Sequence, residues 1–91
     1  MKTSVHVIFK GMVQGVFFRD FTQRKSIEND LFGWVKNMDN GDVEAVFEGD
    51  DDKIHIVIEW LKHEHPYARV DKVICSNIVY SGKYKSFDIR Y

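Results

Sequence analysis

Two polar residues of this sequence, Arg19 and Asn37, stand in surroundings that would let them act together on an anionic ligand. Arg19 closes the stretch GMVQGVFFR, in which Gly11 and Gly15 lie four residues apart and no acidic group occurs before Asp20. A loop of this kind leading into a helix can turn successive backbone N–H groups toward one point, making a nest for an anion. The helix start adds unpaired N–H donors and about half a positive charge, and a guanidinium adds a planar fork suited to two phosphate oxygens. Asn37 falls where the run GWVKN enters a turn. Its carboxamide is donor and acceptor at once, so it can orient a water molecule without carrying charge. Each residue also has an ordinary structural role open to it: the glycines as shapers of a connection, Arg19 as a solvated helix residue, Asn37 as a hairpin residue. The stretch is not a Walker loop, because it lacks the G-x-x-x-x-G-K-[ST] order and so offers no lysine and no hydroxyl for a magnesium nucleotide.

The elements that must position these residues follow from periodicity. Val5, Val7 and Phe9 alternate with His6, Ile8 and Lys10, the period of two of a strand with one buried face. Residues 18–30, FRDFTQRKSIEND, contain neither Gly nor Pro and place Asp20 in a first turn, which predicts a helix. Residues 32–49 read as two alternating runs around Asp39-Asn40-Gly41, types that tolerate the positive φ of a tight hairpin. Ile54, Val57, Ile58 and Leu61 then mark one face of a second helix, with Asp50 to Asp52 available to cap it. Pro66 closes the next turn, and residues 68–80 and 85–91 read as a fourth strand and a short final one. The order β-α-β-β-α-β predicts an α+β, ferredoxin-like two-layer sandwich: an antiparallel sheet with both helices on one face, the other face toward solvent, and a short extra edge strand.

Composition narrows the classes. A chain of 91 residues, 44 % hydrophobic and with one proline, is expected to form a single domain over residues 1–91. Thirteen basic against fourteen acidic side chains give a net charge of −1, which supplies none of the field that phosphate-backbone binding requires, so no nucleic acid partner is expected. No run approaches the roughly 18 apolar residues of a membrane span, and the N-terminal apolar run is interrupted by His6 and Lys10, which argues against a signal peptide. The lone Cys75 excludes an internal disulfide, fits a small core position, and suits a cytoplasmic protein. His55, His63 and His65 lack metal-site spacing, and KHEHPY reads as a solvated loop; no metal is expected. Trp34 and Trp60 fit core or sheet-face positions.

Taken together, GMVQGVFFR and GWVKNMDNGDVEAVFEG resemble the two signature segments of acylphosphatases, and the element order, IVIEWLKH and the terminal SFDIRY extend the likeness over nearly the whole chain. The resemblance implies hydrolysis of the carboxyl-phosphate anhydride of small acyl phosphates to a carboxylate and inorganic phosphate, by direct attack of a positioned water, with no cofactor, metal or phosphoenzyme. Carried over by motif position, Arg19 binds the phosphoryl group and Asn37 positions the water. The backbone amides of Gly15, Val16, Phe17, Phe18 and Arg19 complete the cradle, and Gln14 and Gly15 shape the loop. The likeness further implies a monomer whose partners are its acyl phosphate substrate and inorganic phosphate. Departures fall at Phe17, where a small residue is usual, and at Asn29 and Asp30, where an apolar residue and Gly are usual. Two other readings stay open on sequence: a noncatalytic module for phosphate or carbamoyl phosphate, and an RNA-binding ferredoxin-like domain, which would call for exposed sheet aromatics in a basic surround.

Overall fold

The computed structural model describes residues 1–91, in the order β1 (Lys2–Met12), α1 (Phe18–Glu28), β2 (Phe32–Asn37), β3 (Val43–Asp50), α2 (Asp51–His63), β4 (Arg69–Ile78) and β5 (Phe87–Arg90). The five strands form one sheet in the order β4-β1-β3-β2-β5. Alternation in β1 and β3 sends Val5, Val7, Phe9, Val43, Ala45 and Phe47 to one face, where they form the core with Ile54, Val57, Ile58 and Leu61 of α2. The spacing of those four α2 residues thus does what the periodicity predicts. Helix α1 turns a narrower stripe inward, Phe18, Thr22 and Ser26, and the Thr22 hydroxyl donates to the Phe18 carbonyl at 2.8 Å. Both helices touch each other and the same sheet face.

The hairpin β2–β3 turns through residues 38–42, closed by Met38 N–H donating to the Asp42 carbonyl at 2.8 Å, with Gly41 at φ 96. Helix α1 ends in a Schellman arrangement. Leu31 N–H donates to the Ser26 carbonyl at 2.8 Å and Asp30 N–H to the Ile27 carbonyl at 3.2 Å, which requires Asp30 to take the left-handed conformation, φ 59. This is why glycine suits that position, and Asp30 occupies it at a conformational cost.

Several expectations need correction. The sheet is mixed: four strands pair antiparallel, but β5 lies parallel to β2, from Gly33 opposite Phe87 to Lys36 opposite Arg90. Because β4 and β5 sit on opposite edges, the chain between them must cross the sheet, so the face away from the helices is covered in part, around Ser4, Val46 and Glu48. The crossing segment is pinned by Glu48, whose carboxylate accepts from Ser81 N–H and Oγ, both at 2.9 Å, and from Gly82 N–H at 3.1 Å. Trp34 Nε1 donates to the Tyr84 hydroxyl at 3.3 Å on the same face. Cys75 is exposed on the edge strand β4 and is not a core residue. Asp50 makes no side-chain cap to α2; its carboxylate is drawn instead to the Met1 amino group at 3.5 Å and Lys2 at 3.9 Å. No helix is long and apolar enough to cross a membrane.

Candidate active site

Strand β1 ends at Met12, and the five residues from Val13 to Phe17 carry the chain into α1. Two of them are left-handed, Gly15 at φ 75 and Phe17 at φ 61. Gly15 does this freely; nothing lies within 4 Å of where its Cβ would stand. Phe17 is the N-cap of α1 and offers no side-chain cap. The result is that the main-chain N–H groups from Val13 to Asp20, those of Gly15, Val16, Phe17, Phe18 and Arg19 among them, donate to no protein acceptor. Unpaired donors at a helix start form a positive site, and α1 adds its dipole.

A cavity of about 220 Å³ opens at this point. Gly15, Phe17, Phe18 and Arg19 of the loop and helix start line it together with Asn37, and Val13, Asp20, Ile89 and Tyr91 complete the wall. Val16 is turned toward the core and lends no side chain to the cavity. The structure therefore brings Arg19 and Asn37 into one pocket with the loop. Gln14 links the two halves: its Nε2 donates at 2.8 Å to the Met38 carbonyl and at 2.8 Å to the Asp42 carbonyl, fastening the loop to the hairpin turn. The turn is itself braced by Lys10, whose Nζ lies 2.6 Å from the Asp42 carboxylate.

The two polar side chains differ in how they are held. Arg19 forms no ion pair, but its guanidinium donates to the Arg90 carbonyl at 3.3 Å and lies 4.7 Å from the centre of the Tyr91 ring. Its positive charge thus remains available to a ligand while its direction is constrained. The Asn37 carboxamide has no hydrogen-bond partner in the protein and sits at the end of β2, opposite Val43. An aimed cation, a free amide and a row of N–H donors can hold a tetrahedral dianion and a water molecule beside it.

Beneath the loop lies His65, and here the reading of KHEHPY as a solvated loop fails for this one residue, while the others of the stretch are exposed. The ring is buried, stacked on Phe18 with centroids 5.4 Å apart and meeting Phe21 edge-on at 4.6 Å, with Trp60 and Tyr67 alongside. Nδ1 accepts from Tyr67 N–H at 3.1 Å and Ala68 N–H at 2.9 Å, which assigns the proton to Nε2. Nε2 has no partner in hydrogen-bond geometry, although the Phe17 carbonyl lies close enough to favour a proton there. Burial nonetheless dominates and holds the His65 pKa below its ordinary value. The inward place of the ring is a result of tertiary packing that no local pattern announces. Nor does any sequence signal point to Ile89 and Tyr91 as cavity residues, since they arrive through the parallel pairing of β5 with β2. No three of His, Cys, Asp and Glu converge anywhere in a way that could hold a metal ion.

The chain as a whole is similar to known proteins. The Acylphosphatase family model matches residues 5–89. An acylphosphatase of Geobacter metallireducens is 43 % identical over 91 residues, covering all of this chain and 98 % of that protein. Among solved structures, an acylphosphatase from Coxiella burnetii superposes with a TM-score of 0.91 at 45 % identity, covering 98 % of this chain and 93 % of that one. The crystal structure of acylphosphatase from Bacillus subtilis gives 0.92 at 33 % identity, with both chains covered in full. A family match along nearly the whole chain, joined to near-complete structural agreement, means that the chain belongs to the acylphosphatase family.

Proposed function

We propose that this enzyme cleaves the carboxyl-phosphate anhydride by in-line attack of a water molecule held by Asn37 on a phosphoryl group gripped by Arg19 and the amides of Gly15, Val16, Phe17, Phe18 and Arg19. The observation that supports this most is that Gly15, Phe17, Phe18 and Arg19, whose N–H groups have no protein acceptor, share a cavity with a guanidinium free of any ion pair and a free carboxamide. Water oxygen bonds to phosphorus as the bond from phosphorus to the acyl oxygen breaks. The electron pair departs with the carboxylate, and the water's two protons end on inorganic phosphate. The leaving group's conjugate acid has a pKa of roughly 4, so no general acid is needed, and neither a metal nor a covalent phosphoenzyme has a step to perform. In a loose phosphoryl transition state, charge spreads over three equatorial oxygens, where fixed donors stabilise it most. One such donor is worth about 3 to 4 kcal/mol by analogy with oxyanion holes. The exposed free thiol of Cys75 fits a reducing compartment, which supports a cytoplasmic location.

Hydrolysis of benzoyl phosphate by the Asn37→Ala variant tests the assignment. A group that places water acts in the transition state, so kcat should collapse while competitive inhibition by inorganic phosphate keeps its constant. A change confined to KM would remove Asn37 from the mechanism.

A further inference from the structure

Phe17 combines features that folding alone does not explain. Its backbone is left-handed, φ 61 and ψ 27, a conformation costing a β-carbon-bearing residue about 1 to 2 kcal/mol. Its ring is 66 % exposed, with one aromatic neighbour, Tyr67, edge-on at 6.4 Å and itself exposed. The strain is accounted for by the direction in which the amide must point, but glycine would meet that need with less cost. The ring is surplus to the cradle, and Phe17 is one of the residues lining the cavity that Arg19 and Asn37 share.

The remaining wall has the same character. Val13, Ile89 and Tyr91 line the cavity too, and the ring of the exposed Tyr91 has its centre 4.7 Å from the Arg19 guanidinium. Charge is scarce by comparison. Arg19 is the cavity's one cation, and Asp20 is a carboxylate beside it. Nearby cations are engaged elsewhere: Lys10 with Asp42, Lys36 with Glu44, and Arg90 over the Trp34 ring. An acyl group bearing its own negative charge would meet a carboxylate and no free partner, whereas an apolar one would meet rings and branched aliphatic side chains.

We propose that Phe17, with Tyr91 and Ile89, forms an acyl subsite that selects acyl phosphates with an uncharged apolar group of aromatic size over small or anionic ones. This rests on the cavity being the phosphoryl site, as read above. An acyl group covering the Phe17 ring removes apolar surface that the fold leaves in water, and selectivity arises from that burial.

The test compares kcat/KM of the intact enzyme for benzoyl, acetyl and 4-carboxybenzoyl phosphate, the last matching benzoyl phosphate in size but adding a carboxylate. Benzoyl phosphate should exceed each of the others by about tenfold or more, the scale on which apolar pockets discriminate. In Phe17→Gly, which suits the positive φ, and Phe17→Asn, which also tolerates it, the benzoyl-to-acetyl ratio should fall about fivefold or more, whatever happens to either rate alone. Equal use of the three substrates by the native enzyme, or an unchanged ratio in both variants, would overturn the subsite while leaving the phosphoryl reading intact. Failure to hydrolyse any of the three would instead remove the reading on which it rests.

Discussion

Arg19 is constrained before any anion reaches it, by the Arg90 carbonyl on one side and the Tyr91 ring on another. A fork aimed in advance loses little freedom on binding, and its two-pronged geometry is what a lysine cannot copy. Arg19→Lys should therefore lower kcat/KM for benzoyl phosphate by at least about a hundredfold, measured by steady-state hydrolysis; near-normal turnover would refute the two-pronged contact. At this scale the sequence was informative where chemistry is carried by local pattern. Arg19 and Asn37 could be picked out because glycine spacing and a hairpin signal flank them. His65, Ile89 and Tyr91 could not, because their places depend on partners far along the chain, Phe18 and Phe21 for the imidazole and β2 for the last strand.

Helix α1 is bounded by two left-handed residues, Phe17 before it and Asp30 after it, and only the first faces the cavity. The strain at Asp30 serves the Schellman hydrogen bonds alone, so it can be relieved without touching the site. Asp30→Gly should raise stability by about 0.5 to 1 kcal/mol, the left-handed penalty less the entropy glycine adds to the unfolded chain. The check is a higher urea midpoint at unchanged slope. Element existence was readable from period: β1, the hairpin and α2 fall where alternation and the i, i+3, i+4, i+7 spacing put them. The direction of β5 was not readable, because nothing within Phe87 to Arg90 encodes which edge it joins or which way it runs; that is fixed by the path across the sheet.

At the scale of the whole molecule, two buried titratable groups fasten separate layers, and both tie stability to pH. His65 is held neutral, its pKa lowered chiefly by burial, and protonating Nδ1 would set an N–H against the two amides it now accepts. The unfolded chain then takes up the proton first, near pH 6.5, so stability should be level above that and fall as pH drops from about 6.5 through the lower folded value. Glu48 acts in a lower window. Burial alone would raise its carboxyl, but the bonds from Ser81 and Gly82 outweigh it, with the Ser4 hydroxyl nearby, and leave it below its ordinary 4.5. Its stabilisation is present above that value and is lost as pH falls through the folded one. Urea midpoints measured from pH 8 to pH 3 should show both steps, and His65→Gln should abolish the upper slope while leaving the lower; an unaltered upper slope would refute the assignment to His65.

The donors from Gly15 to Arg19 belong to the main chain, and that places them almost beyond the reach of the genetic code. Every encoded residue except proline supplies the same N–H, so a codon change in this segment alters the rim of the cavity while the array beneath it persists. On the reading proposed above, a phenylalanine at position 17 can therefore set which acyl groups the rim admits without removing a donor from the anion's seat.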